Sequence, residues 1–189
     1  RLRSRGLGDV YKRQIMYMVK KMDAGNIISQ EEVKIASDET TGELYDRLSN
    51  VGAKLLIETL PSIINKTNAS IEQDENLVTY APVIRHEQEK IDFNQSAKQV
   101  YNHVRGLNPW PGAYTVYQDK VVKIWAGSIH NCQNAAKHHG HQENGTIVKI
   151  FKDAIGVKTG DGIYLITELQ IAGKKRMLVK DRLLYTSPS

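Results

Sequence analysis

The run Asn108-Pro109-Trp110-Pro111 limits the folding options of the second half of this chain more than any other feature. A proline lacks a backbone N–H, fixes its own φ and steers the preceding residue out of the helical region. A helix with Asn94 as its cap and Ala97, Val100, Tyr101, Val104 and Leu107 on its apolar face must therefore stop there. Short β-branched runs follow at 113–117, 121–130, 145–151, 155–158 and 163–171, with turn signals at Gln118-Asp119 and Thr159-Gly-Asp-Gly162. That pattern predicts a small antiparallel barrel over residues 81–181. Trp110 and Trp125 read as packing anchors, since an indole buries a large apolar area.

Upstream, residues 15–19 read as a short strand, Met22-Asp-Ala-Gly-Asn26 as a turn and 27–35 as a second strand, which places Asp23 in a loop between strands. Thr40-x-x-Glu43 is a capping box ahead of Leu44, Leu48, Val51 and Leu55 at helical spacing, so a helix follows that ends or kinks near Pro61. Residues 65–77 have no period and are rich in Asn, Gln and acids, so this region reads as a linker, with the linker between the two domains set at 67–80. Two strands and one helix bury too little apolar surface to stand alone. Residues 15–66 are therefore expected to be the tail of a larger domain.

The formal net charge of +5 is unevenly spread. Residues 1–14 (RLRSRGLGDVYKRQ) and 182–189 resemble translated adapter sequence and are expected to be foreign to the protein. Between them, residues 15–80 hold 6 bases against 11 acids, and 81–181 hold 14 against 9 plus all six histidines. Such a split predicts a second half that faces a polyanion. No apolar run is long enough to span a bilayer and the N-terminus has no apolar signal region, so a cytoplasmic protein with no membrane partner is expected. The single Cys132 fits a reducing compartment. His130, Cys132, His138, His139 and His141 offer borderline-soft ligands, yet their spacing matches no structural zinc pattern, and no metal site is expected. Phosphate-binding, dinucleotide-binding and serine-hydrolase motifs are absent.

Taken in order, MVKKMDAGNII, the capped helix, YAPVIRHEQEKIDF, LNPWPGAYT, VKIWA and GDGIYLITELQIAGKKRM resemble the methionyl-tRNA formyltransferase family over roughly residues 15–181. The resemblance implies an α/β fragment, the end of a Rossmann-like formyltransferase domain that binds 10-formyltetrahydrofolate, followed by an OB-like antiparallel β-barrel that helps hold initiator methionyl-tRNA. It implies a monomer. Asp23 matches the family's active-site Asp, whereas the Asn and His of the upstream Asn-x-His segment would lie before residue 15, so the active site within this chain is expected to be incomplete. Met18, Met22, Asp23 and Gly25 match the pterin-facing loop; Lys20 and Lys21 beside them read as solvated charges.

Lys120, Lys123, Lys149, Lys158, Lys174, Lys175 and Arg176 recur through the barrel strands and turns, and with Arg105 they form a candidate phosphate-facing surface. Where the family pattern has a Lys after Tyr-Ala-Pro this chain has Val83, and Arg85 is the candidate substitute. Two other readings remain open at this point. One keeps formyl transfer but changes the acceptor to a nucleotide sugar; the other makes residues 81–181 a stand-alone tRNA-binding or nucleic-acid-binding barrel.

Overall fold

The computed structural model describes residues 10–77, 81–130 and 142–184. The chain divides into two compact units, residues 1–83 and 84–189.

In the first unit, β1 (Val10–Met16) and β2 (Ile27–Lys34) pair antiparallel, with Val10 opposite Lys34 and Met16 opposite Ile27. The strand expected at 15–19 thus lies earlier. Residues 17–26 are consumed by the connection, which the Tyr17 N–H closes by donating to the Asn26 carbonyl (3.1 Å), so the ladder can only run backward from Met16. Residues 10–14, read as foreign, supply much of that ladder, including a Lys12–Glu32 ion pair at 2.9 Å.

Helix α1 (Thr41–Ile64) starts where its capping box dictates: the Glu43 N–H donates to Thr40 Oγ1 and the Thr40 N–H to Glu43 Oε2 (2.8 Å). The helix carries Pro61 inside it and runs three residues further. One face buries Leu44, Leu48 and Leu55, the first two in a small core with Val33. A hydroxyl pair, Ser29 Oγ to Thr59 Oγ1 at 2.7 Å, joins β2 to the last turns. A second apolar band of Leu56, Ile57 (69% exposed), Leu60 and Ile64 faces solvent.

The stretch expected as a linker is partly ordered: Ile71 exchanges two 2.8 Å backbone bonds with Ile27, and Glu75–Leu77 form a 3₁₀ turn. Ile27 lies at the end of a two-stranded ladder, and its otherwise open polar groups recruit Ile71.

The second unit holds α2 (His86–Glu89), α3 (Ala97–Gly106), β3 (Ala113–Tyr117), β4 (Lys120–Ile129), β5 (Ile147–Ile150), β6 (Ile155–Lys158), β7 (Ile163–Ile171), β8 (Met177–Leu178) and α4 (Val179–Leu184). Three expected strands, β3, β6 and β7, lie at the expected residues. Ser96, not Asn94, caps α3, because Ser96 and Gln99 complete a reciprocal box while the Asn94 N–H donates to Asp92. The sheet order is β3-β4-β7-β6-β5, with β8 added beside β7. All its pairs are antiparallel. Gln118 and Asp119 both have positive φ (48° and 59°), the backbone of a two-residue hairpin turn whose twist matches the strands. Among the described residues the ladder does not close: β3 and β5 are its two ends, and the architecture is an antiparallel sheet with helices rather than a closed barrel.

Helix α3 lays Val100, Val104 and Leu107 on Ile124, Tyr164, Ile166 and Leu169 of the central strands. Its N-terminus is gripped by the Thr159-Gly-Asp-Gly162 turn. Asp161 Oδ1 accepts from the Ala97 N–H at 2.7 Å, and the Gly160 N–H donates to the Gln95 carbonyl at 2.9 Å. One carboxylate thereby satisfies a helix-end donor beside a buried residue. Replacing Asp161 by Ala is expected to lower the unfolding free energy by about 1–2 kcal/mol, and by less with Asn, which keeps an acceptor; urea unfolding followed by tryptophan fluorescence checks both.

Candidate functional site

Two places gather the side chains with chemical potential, one in each unit. In the first unit the β1–β2 connection folds back so tightly that a Cβ on Gly25 would stand 1.7 Å from the Tyr17 carbonyl oxygen. No side chain fits there. Asp23 sits two residues earlier with φ +55°, the left-handed region that Asp tolerates better than most residues. Its side chain is exposed, as are those of Met18 (98%) and Met22 (87%). Gln73, from the segment after α1, donates its amide to both the Asp23 and Gly25 carbonyls at 2.9 and 2.7 Å. Lys21, read as solvated, pairs with Glu75. The sequence-predicted Met18, Met22, Asp23 and Gly25 therefore do share one loop. Gln73 has no signal in the sequence, because nothing in an aperiodic polar stretch distinguishes it.

In the second unit the structure centres on Trp125. Gly112, at φ +89°, passes so close that a Cβ would lie 2.8 Å from the indole. The Asn108 amide donates to the Trp125 carbonyl (2.8 Å), and Lys123 Nζ to the Pro111 carbonyl (2.7 Å). The indole N–H donates to Gln170 Oε1 at 3.2 Å, and the Gln170 amide in turn to the Lys174 carbonyl. The ammonium of Lys123 and the guanidinium of Arg176 lie 5.6 and 4.8 Å from the ring centre, within cation–π reach. Trp125 is half-buried and seated as expected. Trp110 is not: it is 78% exposed, a correction to its reading as an anchor. The backbone at Pro111 and Gly112 is already held against Trp125 and Lys123, and the corner turns the preceding indole outward.

The cations do not form one patch. The charged groups of Lys123 and Arg176 converge on Trp125, and Lys174, whose backbone carbonyl accepts from Gln170, lies with exposed Lys175 in the turn that follows β7. Arg176 is bound to Glu168 by a fork of two bonds, one of 2.7 Å, and this carboxylate raises the Arg176 pKa above its ordinary value. Lys149 and Lys158 belong to the β5–β6 end; the first lies over Phe151, and the second donates to the Gln142 carbonyl at 2.6 Å. Arg105 packs over Tyr101 and donates to Asn102, Lys120 opens β4 on the exposed side, and Arg85 precedes α2 with its N–H on Gln88. His130 donates its backbone N–H to Ile163 and sets its ring 5.6 Å from Phe151. The remaining members of the His-rich loop, Cys132, His138, His139 and His141, lie outside the described residues. Among the described residues no cluster of potential metal ligands occurs, and no helix is long and apolar enough to cross a membrane.

Comparison with known proteins covers both units. The formyl transferase family model matches residues 12–60, and the model for the formyl transferase C-terminal domain matches residues 83–184. A methionyl-tRNA formyltransferase of Staphylococcus epidermidis is 48% identical over 171 residues, which is 89% of this chain and 53% of that protein. One from Bacillus cereus is 49% identical over 175 residues, 92% of this chain and 54% of that protein. The chain spans about half the length of these curated relatives. Among solved structures, HypX from Aquifex aeolicus in complex with tetrahydrofolic acid superposes with a TM-score of 0.67 at 17% identity, over 93% of this chain and 30% of HypX. An N-formyltransferase from Helicobacter canadensis, in complex with folinic acid and dTDP-3-aminofucose, gives 0.61 at 17% identity, over 89% of this chain and 56% of that one. These two likenesses speak to the fold; the two family models, which between them take in the Asp23 loop, most of α1 and strands β3 to β8, place the chain in the formyl transferase family.

Proposed function

We propose that the protein to which this chain belongs transfers a formyl group from 10-formyltetrahydrofolate to the α-amino group of methionine on initiator tRNA. The observation that carries the reading is 48–49% identity to relatives named methionyl-tRNA formyltransferase, extending through both the Asp23 loop and the Trp125 surface. In this reading the first unit is the end of a Rossmann-like α/β catalytic domain, and the second is an OB-like module that holds the tRNA. The exposed apolar band on α1 supports the first part, since a surface of that kind belongs under further protein. A cytoplasmic monomer is the accompanying expectation.

The chemistry forms a bond between the amine nitrogen and the formyl carbon and breaks the bond from that carbon to the folate nitrogen. The attack builds an oxyanion that an N–H donor stabilises, and the proton lost by the amine passes to a base whose conjugate acid delivers it to the departing folate nitrogen. By resemblance an upstream Asn and His take those roles. Asp23 then supplies the carboxylate that orients the His, held out to solvent by the loop around Gly25. Met18 and Met22 offer exposed apolar surface beside it, suited to covering a flat heterocycle. On the second unit Lys123 and Arg176 at Trp125, with Lys174 and Lys175 in the turn after β7, suit phosphate contacts, which position a tRNA without reading its sequence. Likeness to sugar N-formyltransferases extends to the fold alone at this identity and does not favour a nucleotide-sugar acceptor.

Asp23→Asn in the full-length protein keeps the turn but removes the charge. It is expected to lower kcat for methionyl-tRNA roughly 10²- to 10⁴-fold, the range of acid–base assistance, with a smaller change in KM; steady-state formylation kinetics check it. Lys123→Ala should weaken tRNA binding about equally for all tRNAs and reduce the slope of log affinity against log salt by about 1. Arg176→Ala should have a smaller effect on the slope, because Glu168 already offsets its charge. Salt-titrated binding measurements decide between the two.

A further inference from the structure

We infer that Gln73 is a positioning residue for the Asp23 loop, acting as the centre of a strap that the segment after α1 lays across it. The inference rests on the proposed role of Asp23 in formyl transfer. Three attachments fall at alternate residues. Ile71 exchanges both its backbone hydrogen bonds with Ile27, at 2.8 Å each; Gln73 bridges the Asp23 and Gly25 carbonyls; Glu75 pairs with Lys21. Gln73 reaches the loop from the short stretch after Ile71, and Glu75, at the start of the 3₁₀ turn, sends its carboxylate to Lys21. The strap thus meets the loop at Lys21, Asp23 and Gly25, and the strand just past it at Ile27.

The Gln73 contact is the one that bears on Asp23. Both of its partners are carbonyl oxygens, so only the NH₂ end of the amide can serve, and its orientation is fixed by chemistry. One planar group with two N–H donors sets the spacing and direction of the two carbonyls that flank Ala24. Those carbonyls belong to the residue held at φ +55° and to the glycine that has no room for a side chain. A left-handed Asp is a sparsely populated backbone state that persists only when its surroundings hold it. Lys21–Glu75 is solvent-exposed and contributes little by itself. Gln73 is half-buried, and its two bonds act on the backbone of Asp23 directly.

Gln73→Glu in the full-length protein is nearly isosteric but sets a carboxylate against two carbonyls. Gln73→Lys restores donors. Amide hydrogen exchange of residues 22–26 is measured alongside formylation kinetics, with the amides of α1 as the folding control. The expected result for Gln73→Glu is loop exchange about tenfold faster with α1 unchanged, and kcat reduced roughly 10- to 100-fold, as a misplacement of about 1 Å produces. KM for methionyl-tRNA should change less than about threefold, and Gln73→Lys should recover much of both effects. Loop exchange and kcat both within about twofold of wild type would overturn the inference, as would a loosened loop with unchanged kcat. If wild-type protein forms no formyl-methionyl-tRNA, the proposed function fails; the exchange comparison then shows separately whether Gln73 holds the loop.

Discussion

The candidate chemistry depends on one close approach: Gly25 against the Tyr17 carbonyl, with no space for a Cβ. This contact draws the ends of the β1–β2 connection together, sets the register of the ladder behind it and leaves Asp23 at the outer bend. The second unit uses the same device. Gly112 passes against the Trp125 indole, which lets Asn108 and Lys123 fasten the corner after α3 to β4. In both units a glycine lets backbone come into contact where any side chain would hold it away, and the exposed functional groups are displayed from that contact.

The charges around Trp125 illustrate why a count of basic residues overstates a binding surface. Arg176 is engaged by Glu168, and Lys123 donates to the Pro111 carbonyl. A bound phosphate must therefore compete with existing bonds, and the net gain per contact is smaller than for a free side chain. What the arrangement offers instead is order. The indole, the Gln170 amide and the corner carbonyl fix where the cations sit, so the entropy lost on holding a rigid anion is already reduced.

Much of this was legible in the chain itself. The capping box at Thr40, the hairpin turn at Gln118-Asp119 and strands β3, β6 and β7 follow from local rules, and local structure obeys them. The loop position of Asp23 was legible for the same reason. Other features are set by partners distant in sequence. Ser96 displaces Asn94 as a cap because only Ser96 has Gln99 at the right offset, and Gln73 acquires its role from carbonyls 48 and 50 residues away. The outward turn of Trp110 and, among the described residues, the open ends of the sheet likewise depend on tertiary packing, which periodicity does not encode. Membership of the formyl transferase family was readable from the order of short motifs.

In the proposed function the Asp23 loop and the Trp125 surface serve one reaction, formyl transfer to an aminoacyl-tRNA. The direct measurement is an acceptor competition with the full-length protein: 10-formyltetrahydrofolate as donor, with methionyl-tRNA and a nucleotide-linked amino sugar together, and mass spectrometry of both products. The proposed function predicts formyl on the methionyl amine and none on the sugar. Formyl on the sugar with the methionyl amine unmodified would contradict it.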